Sequence, residues 1–316
     1  MTTVYKNVFL PNGYKLPRYT IEKRLSSGGF GAVYIARHDN GHTVALKEFL
    51  PSLLDCRREG DNGIVSFKDE DSKKKFQKGL EVFFQEADTV AKIRDERVIA
   101  ILDVFEANGT AYFAMPVEQG ETLQRLIKKN ADSRISDKRI QQIFIDASIG
   151  VQVLHEHGLL HLDIKPGNLW IRPDGSVVVL DLGASRGQED YHLFGPLART
   201  PGYAAPEQHE SYKTTTLTIQ TDVYGLAASM FCCVEGVAPE IATKRNKKDV
   251  TLLEKRIGYA SSELLSLIDE GLALNFNDRI GSAEEFKNRL LKIPRLNEKT
   301  GMLKTNFLGK TPKIIL

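Results

Sequence analysis

The sequence predicts an α+β protein of two unequal lobes, a small lobe of antiparallel strands with one helix and a larger, mainly helical lobe. Up to about Met115, short runs of β-branched and aromatic residues are separated by glycine-containing turns, whereas after Gly120 apolar residues recur at spacings of three and four. At 316 residues the chain is long for a single core and has room for both lobes. A cleft between two lobes is a common ligand site.

The same patterns divide the chain into segments. We predict an N-terminal extension over residues 1–18, a first lobe over 19–115 with an insertion at 51–75, a hinge and second lobe over 116–293, and a C-terminal tail over 294–316. The insertion is polar with a run of lysines, and the tail is lysine-rich without a clear periodicity.

Composition and charge argue against several classes of protein. The net charge of +2 gives no reason to expect binding to nucleic acid or to a membrane surface. The most apolar internal window, "GLAASMFCCVEGVAP", is interrupted by Glu235 and is too short to cross a bilayer, and the first residues show no secretory signal. The three cysteines have neither disulfide nor zinc spacing, so we expect reduced thiols in the cytoplasm. The sequence leaves the oligomeric state open.

The first lobe begins with three strand-like runs, "YTIEKRLSS", "GAVYIARH" and "HTVALKEFL". Asn40-Gly41, between the second and the third, suits a type I′ hairpin turn. We interpret the polar stretch that follows as an exposed insertion, and apolar residues at helical spacing from Phe76 onward predict the helix. Two further strands, "VIAILDVFEA" and "TAYFAMPV", flank a turn at Asn108-Gly109.

The second lobe begins with a long amphipathic helix. "ISDKRIQQIFIDASIGVQVLHEHG" has the helical periodicity, with Ser136 as the N-cap and Gly158 as the stop. "LWIRPDGSVVVLDLG" then predicts a hairpin that turns at its PDG sequence. From Thr221 onward most segments are helical, ending with "SAEEFKNRLLKI".

Two features of the first lobe suggest an anion site. "LSSGGFGAVY" places Gly28 and Gly31 in the turn between the first two strands, where glycines let backbone N–H groups approach an anion, although such a turn needs no ligand. Lys47 stands in the middle of an apolar strand, where a buried ammonium requires a counter-charge. Glu86, beside the apolar face of the predicted helix, is the best partner and Glu81 the alternative; a structural ion pair would give the same pattern.

The stretch "HLDIKPGN", residues 161–168, concentrates polar side chains in one predicted loop. Asp163 and Asn168 lie in it, and Asp181 stands at the end of the following hairpin. A carboxylate and a carboxamide that converge from two loops are hard oxygen ligands for Mg²⁺, which usually also needs substrate phosphates. A carboxylate that does not bind the metal can orient a hydroxyl and accept its proton.

Together these motifs resemble those of eukaryotic-type serine/threonine protein kinases. The family pattern is a glycine-rich loop, a strand lysine, a helix glutamate, H-R-D-x-x-x-x-N, D-F-G and A-P-E. In this chain the matching pieces, in the same order, are Gly28/Gly31, Lys47, Glu86, "HLDIKPGN", "DLG" at 181–183 and "APE" at 205–207. The match covers roughly residues 19–292, and "TPGYAAPEQ" and "DIKPGN" are similar to bacterial members of the family.

The resemblance implies a bilobal protein-kinase-like fold, ATP and Mg²⁺ as cofactors with Mn²⁺ as an alternative metal, and protein substrates that carry serine or threonine. It implies that Asp163 is the catalytic base, that Lys165 steadies the γ-phosphate, that Asn168 and Asp181 hold the metal, and that Thr200 belongs to the substrate platform. The residues implied for nucleotide binding are Ser26, Ser27, Gly28, Gly29, Phe30, Gly31, Val33, Ala45, Lys47, Glu86, Met115 as the gatekeeper and Val117 in the hinge. The residues implied for structural roles are Glu207 paired with Arg279, and Asp222 as a brace for the catalytic loop.

Three positions depart from the family pattern. Ser26 replaces the first glycine of the loop, and Leu182 replaces the phenylalanine of D-F-G. Leu162 replaces the arginine of H-R-D, which in the family pairs with a phosphate on the activation loop. The hydroxyl-bearing residues between the metal site and "RTPGY" are only Ser185 and Tyr191. We therefore expect that activation-loop phosphorylation is not required.

Two other functions would fit a fold of this kind. The first is a catalytically weak pseudokinase that acts as a nucleotide-binding scaffold; the retention of Lys47, Asp163, Asn168 and Asp181 favours an active enzyme instead. The second is a small-molecule kinase, and "APEQ" with the Thr200 region argues for a protein substrate because these segments build a peptide platform in the family.

Two further groups of residues have structural interpretations. His155, His157 and His161 suggest a metal cluster by composition, but the first two lie two positions apart at a helix end and should diverge. Trp170 follows the catalytic loop on an apolar strand, and we interpret it as a core residue rather than a stacking platform.

Overall fold

The first lobe is an antiparallel sheet of six strands with one helix. The computed structural model describes residues 9–29, 31–51, 56–58, 63–130, 135–181, 200–209, 217–245 and 260–294. In chain order the lobe contains β1 (Lys15–Leu16), β2 (Tyr19–Gly28), β3 (Gly31–His38), β4 (Thr43–Phe49), β5 (Cys56–Arg58), β6 (Val65–Phe67), α1 (Glu70–Val90), β7 (Asp103–Ala107) and β8 (Thr110–Pro116). The sheet order is β1-β2-β3-β4-β8-β7, while β5 and β6 form a separate hairpin. The predicted strand-rich lobe is confirmed.

The second lobe is mainly helical, as predicted. In chain order it contains β9 (Glu121–Thr122), α2 (Leu123–Lys129), α3 (Asp137–Glu156), β10 (Leu169–Ile171), β11 (Val177–Val179), α4 (Ile219–Glu235), α5 (Ser262–Gly271) and α6 (Ala283–Lys292), with 3₁₀ turns at Pro166–Asn168, Pro206–Gln208 and Phe276–Asp278. Strands β9, β10 and β11 pair in a small antiparallel sheet. None of the helices in the described part of the chain is long and apolar enough to span a membrane.

Helix α3 forms the centre of the second lobe. The Ser136 hydroxyl caps it by accepting a hydrogen bond from the backbone N–H of Arg139 at 3.3 Å, and Gly158 follows its end with a φ of +74°. The predicted apolar face is buried and packs against α4 and α6. Its residues are Ile140, Ile143, Phe144, Ala147, Val151 and Leu154. Both predicted ends of this helix are confirmed.

The two Asn-Gly turns of the first lobe differ. Asn108 and Gly109 have φ values of +58° and +70° between adjoining strands β7 and β8, as a type I′ turn requires. In the other turn Gly41 has a φ of +89° whereas Asn40 is not left-handed, so the type I′ prediction there was wrong. The connection from β3 to β4 is longer, because β3 already ends at His38.

The insertion predicted at 51–75 is only partly an exposed loop. Its described part includes the β5–β6 hairpin, where Arg58 is 5% exposed and forms an ion pair with the fully buried Glu48 of β4. Helix α1 begins within the insertion, at Glu70, because the Asp69 side chain caps its first turn. The lysine run therefore belongs to the exposed side of a helix.

The sheet of the first lobe is covered on both faces, and this arrangement positions the site. Helix α1 packs on one face through Phe76 and Phe83, and the segment around Leu10 and Leu16 covers the other. Because successive side chains of a strand point to opposite faces, Lys47 of β4 lies on the side of α1 while Glu48 lies under the N-terminal segment.

Candidate active site

A cleft of about 290 Å³ lies between the sheet of the first lobe and the loops of the second lobe. The residues that line it are Leu25, Ser26, Val33, Ala45, Lys47, Ile99, Met115, Pro116, Glu118, Thr122, Gly167, Asn168, Trp170, Leu180 and Asp181. Most of this wall is apolar, as is typical of a small-molecule pocket. The predicted hinge residue Val117 is not in this lining, whereas its neighbours Pro116 and Glu118 are.

A second, polar cavity of about 170 Å³ adjoins the first at Lys47 and Asp181. Its lining residues are Ser26, Ser27, Gly28, Gly29, Gly31, Val33, Lys47, Asp163, Lys165 and Asp181. The fold thus brings the glycine turn of one lobe opposite the catalytic-loop residues of the other. A larger surface depression of about 470 Å³ between α5 and α6 contains none of the predicted site residues.

The glycine turn joins β2 to β3, with Gly28 opposite Gly31 at the end of the ladder. Gly31 has a φ of +149°, and a Cβ at this position would collide with the backbone carbonyl oxygen of Glu48. Only glycine fits there, because the start of β3 packs closely against the backbone at the end of β4. Phe30, at the tip of the turn, lies outside the described residues.

Lys47 forms an ion pair with Asp181, which follows β11 and has a left-handed backbone with a φ of +58°. The Lys47 side chain is 7% exposed and the Asp181 side chain 43%. Burial opposes ionisation of Asp181, but the Lys47 ammonium outweighs it and lowers the pKa of Asp181 to about 2. Solvent screens part of this attraction because Asp181 is half-exposed.

The ion pair described for Lys47 is with Asp181. Glu86, the expected partner, is buried on α1. Glu81, the alternative partner, is exposed and lies 3.5 Å from Lys78. A residue of the other lobe, Asp181, supplies a counter-charge for Lys47, and the pairing with Glu86 stays a prediction.

The Asp163 side chain, in the loop of residues 161–168, contacts three donors, two from this loop and one from Thr200. Its Oδ1 accepts a hydrogen bond from the Thr200 hydroxyl at 2.7 Å. Its Oδ2 lies 2.6 Å from the Lys165 ammonium and 3.1 Å from Nδ2 of Asn168. Lys165 also donates to Thr200 Oγ1 at 3.0 Å. The four predicted residues Asp163, Lys165, Asn168 and Thr200 therefore form one hydrogen-bonded group.

Asp222 of α4 braces this loop from below. Its carboxylate accepts hydrogen bonds from the backbone N–H groups of His161 and Leu162 at 2.8 and 2.7 Å. Leu162 is held in a left-handed conformation with a φ of +62°. Burial opposes ionisation of Asp222, but contact with His155 at 2.8 Å and the backbone donors outweigh it and lower the pKa of Asp222.

Glu207 and Arg279 form a fully buried ion pair beneath the "APE" segment. The two contacts are 2.7 and 3.2 Å long, and the side chains are 1% and 0% exposed. Glu207 also accepts a hydrogen bond from the Thr221 hydroxyl at 2.9 Å. The predicted pair is present and holds the segment after Thr200 against the second lobe.

Asn168 and Asp181 supply oxygens suited to a hard cation. The described hydrogen bonds of the Asn168 side chain are donated by Nδ2, to the Asp163 carbonyl at 2.8 Å and to its carboxylate, so the amide oxygen is left for another ligand. A carboxamide and a carboxylate oxygen fit Mg²⁺ with substrate phosphates completing its shell. Within the described segments, no group of three or more His, Cys, Asp or Glu residues could hold a metal on its own.

The histidines that suggested a metal cluster have other partners. His155 contacts Asp222, and His161 Nε2 contacts the carbonyl oxygen of Leu180 at 2.9 Å. The Nδ1 atom of His157 lies 2.8 Å from the carbonyl oxygen of Val153. The structural interpretation of these residues fits the contacts.

Sequence reasoning missed two contributors to the site. Trp170 is 3% exposed and belongs to the core, as predicted, but it also lines the cleft. Gln208 donates to the Leu162 carbonyl at 2.8 Å and accepts from the Ala205 N–H at 2.9 Å, which ties the catalytic loop to the "APE" segment. The available signal was position: Trp170 follows Asn168 by two residues, and Gln208 directly follows "APE".

Several predicted features lie outside the described residues. They are Phe30, Leu182 and Gly183 of the "DLG" sequence, Ser185 and Tyr191 of the activation loop, and residues 295–316 of the tail.

Comparison with protein families decides the identity of this two-lobed fold. Residues 19–291 match the protein kinase domain family. The chain belongs to the protein kinase family. Among curated relatives of this kinase are serine/threonine-protein kinase PknB of Mycolicibacterium smegmatis, 25% identical over 292 residues that cover 87% of this chain and 43% of the relative, and PknD of Mycobacterium tuberculosis, 26% identical over 282 residues that cover 86% and 39%. The kinase chain therefore spans about two fifths of the length of these relatives.

Solved structures support the same assignment. The apo form of PpkA-294 is 30% identical to this kinase with a TM-score of 0.76, covering 89% of this chain and 99% of that one. The PknI kinase domain of Mycobacterium tuberculosis has a TM-score of 0.66 at 21% identity, covering 90% and 99%, and bears on the fold alone. The predicted resemblance to bacterial kinases of the eukaryotic type is confirmed.

Proposed function

We propose that this chain is a serine/threonine protein kinase that transfers the γ-phosphoryl group of ATP to protein hydroxyls with the help of Mg²⁺. The observation that carries the proposal is the hydrogen-bonded group of Asp163, Lys165, Asn168 and Thr200. It stands at the polar end of an apolar cleft that is closed above by a glycine turn. Positioning and charge stabilisation supply most of the catalysis in phosphoryl transfer, and this group provides both.

In the proposed reaction Asp163 orients the substrate hydroxyl and accepts its proton. The hydroxyl oxygen forms a bond to the γ-phosphorus while the bond from that phosphorus to the bridging oxygen of ADP breaks. Lys165, held 2.6 Å from Asp163, is placed to neutralise charge on the transferred group. Thr200 fixes the Asp163 carboxylate and, with Lys165, favours a serine or threonine substrate.

Lys47 and the glycine turn would bind the rest of the triphosphate. The Lys47 ammonium is the cation of the polar cavity contributed by the first lobe, and the backbone around Gly28 and Gly31 covers the same space. Asn168 and Asp181 would hold Mg²⁺, with Mn²⁺ as an alternative. When bound, the metal ion neutralises phosphate charge.

Activity without activation-loop phosphorylation is the second part of the proposal. Leu162, which stands where the family has arginine, is 3% exposed and offers no cation for a phosphate. Hydrogen bonds support the catalytic loop instead, from Gln208 to the Leu162 carbonyl and from the Thr200 hydroxyl to the Asp163 carboxylate.

A pseudokinase scaffold is the alternative that must be separated from an active enzyme. The test is transfer of labelled γ-phosphate from Mg-ATP to a protein substrate, comparing the wild type with Asp163→Asn. Since positioned proton transfer contributes about 10²–10⁴ in rate, the variant should lose activity by that factor while it still binds nucleotide. Binding without transfer by the wild type would support the scaffold, and a loss of less than roughly tenfold in the variant would remove Asp163 as the base.

A further inference from the structure

A bidentate ion pair ties the hinge between the lobes to the second lobe. Arg172, directly after β10, donates from Nε and Nη2 to the two carboxylate oxygens of Glu118, both at 2.8 Å. The side chains are 23% and 17% exposed. The remaining nitrogen of Arg172, Nη1, donates at 3.0 Å to the carbonyl oxygen of Glu96, which lies in the segment between α1 and β7. One guanidinium therefore joins three parts of the molecule.

The next two hinge residues are held against the same strand. The Trp170 indole N–H donates to the carbonyl oxygen of Gln119 at 2.9 Å. Gly120 has a φ of +127°, and a Cβ there would collide with the carbonyl oxygen of Ile171. The hinge from Glu118 to Gly120 therefore has a defined place along β10, and Glu118 is the residue of this hinge segment that lines the cleft.

The location of Glu118 connects this contact with ligand binding. Glu118 and Trp170 both line the apolar cleft, which on the proposed function would take the base of the nucleotide. A hinge that is fixed before the ligand arrives loses less conformational entropy on binding than a mobile one. Because the guanidinium is planar and the contact bidentate, Arg172 fixes the orientation of the Glu118 carboxylate as well as its distance.

We propose that Arg172 is a positioning residue for nucleotide binding, which acts through Glu118 to hold the hinge backbone in its binding geometry. The inference rests on the proposed function, because it takes the cleft as the ATP site. Arg172 is not assigned a contact with the nucleotide. Its effect should therefore be seen in affinity for ATP and not in the chemical step.

The test is the dissociation constant for Mg-ATP, measured by calorimetry, with kcat and KM for ATP measured in parallel. Arg172→Met should raise the dissociation constant and KM about three- to tenfold while kcat changes less than about twofold. Arg172→Lys keeps the positive charge but loses the two-pronged contact. Its dissociation constant for Mg-ATP should therefore lie between those of the wild type and Arg172→Met. Thermal unfolding of each variant establishes that it is folded.

Arg289→Met is the matched control. Arg289 makes a similar two-pronged contact with Glu270, joining α6 to α5 away from the cleft, with exposures of 33% and 42%. Loss of that pair should leave ATP affinity unchanged. If Arg172→Met binds ATP as tightly as the wild type, or no more weakly than Arg289→Met, the inference is overturned.

The neutral double variant Glu118→Gln/Arg172→Met separates positioning from charge. Removing Arg172 alone also leaves the Glu118 carboxylate without its cation in the cleft, and its repulsion of the negatively charged nucleotide would also weaken binding. The double variant should bind ATP as weakly as Arg172→Met; full recovery of affinity would overturn the positioning role. Failure of the wild type to bind Mg-ATP would instead overturn the proposed function, and the inference with it.

Discussion

At the scale of single residues, the site depends on how firmly the Asp163 carboxylate is held. Each of its oxygens already has a donor, Thr200 on one side and Lys165 with Asn168 on the other. A carboxylate fixed in this way presents its remaining lone pairs in a set direction, which a proton acceptor requires. Thr200 is the member that comes from outside the catalytic loop, so it can be tested without disturbing that loop.

Thr200→Val should lower kcat by roughly ten- to a hundredfold, the effect of losing a hydrogen bond to a charged group. The substitution removes the donor to Asp163 and the acceptor of Lys165 while it keeps the shape of the side chain. Thr200→Ser retains the hydroxyl and should stay close to the wild type. Steady-state kinetics with a protein substrate measure both. Equal kcat for the valine and serine variants would contradict the role given to Thr200.

Most of these site residues could be predicted from the sequence, but some of their contacts could not. Lys47 was predicted to need a carboxylate, because an ammonium on an apolar strand must be compensated. Which carboxylate approaches depends on where α1 lies relative to β4 and on the left-handed turn at Asp181, and neither is encoded in local spacing.

At the scale of elements, the most unusual packing is that of the β5–β6 hairpin on the sheet. The Arg58 guanidinium of this hairpin forms an ion pair with the fully buried Glu48. Tyr34 donates to the other oxygen of that carboxylate at 2.9 Å. Glu48 therefore depends on residues that are distant in sequence for its compensation.

Arg58→Met should reduce the free energy of unfolding by about 3–5 kcal/mol, since it leaves a buried carboxylate without its cation. The double variant Glu48→Gln/Arg58→Met should lose less of the free energy of unfolding, because it leaves no buried carboxylate without a cation. Denaturant titration measures both. The control is Arg37→Met, which breaks the exposed pair with Glu22 and should cost no more than about 1 kcal/mol. An Arg58 variant as stable as this control would show that the hairpin does not hold Glu48.

Local patterns predicted the elements better than their connections. The apolar periodicity of α3 and its Ser136 cap gave both ends of that helix, because cap and stop are local signals. The β5–β6 hairpin was not predicted, since its stability comes from Arg58 and Glu48 meeting across the sheet. The type I′ turn predicted at Asn40-Gly41 was wrong for a similar reason. The turn type depends on where the flanking strands stop pairing, and β3 ends before this dipeptide.

At the scale of the whole molecule, the two lobes meet at a cleft whose polar end carries the groups that we propose for phosphoryl transfer. The second lobe holds those groups through buried contacts, the Glu207–Arg279 pair and the Asp222 brace. Leu162, at the position of the family's arginine, has no charge with which to bind a phosphate, and this is the basis for expecting a catalytic loop that is competent without phosphorylation.

Protein treated with a phosphatase and freed of it should retain its kinase activity from the first turnover. Leu162 has no charge with which to bind a phosphate, so removing phosphate should not release the catalytic loop. Initial rates of treated and untreated protein, compared without a lag phase, measure this. A treated protein that regains activity only after it has phosphorylated itself would contradict the expectation.

The most direct test of the account is mass spectrometry of a protein substrate after reaction with Mg-ATP, comparing the wild type with Asp181→Asn. On this account an ammonium, a proton acceptor and metal-binding oxygens surround one cleft. We therefore predict that the wild type phosphorylates serine and threonine hydroxyls of the substrate and that the variant phosphorylates almost none. A folded wild type that binds ATP yet leaves every hydroxyl unmodified, or equal phosphorylation by both proteins, would contradict it.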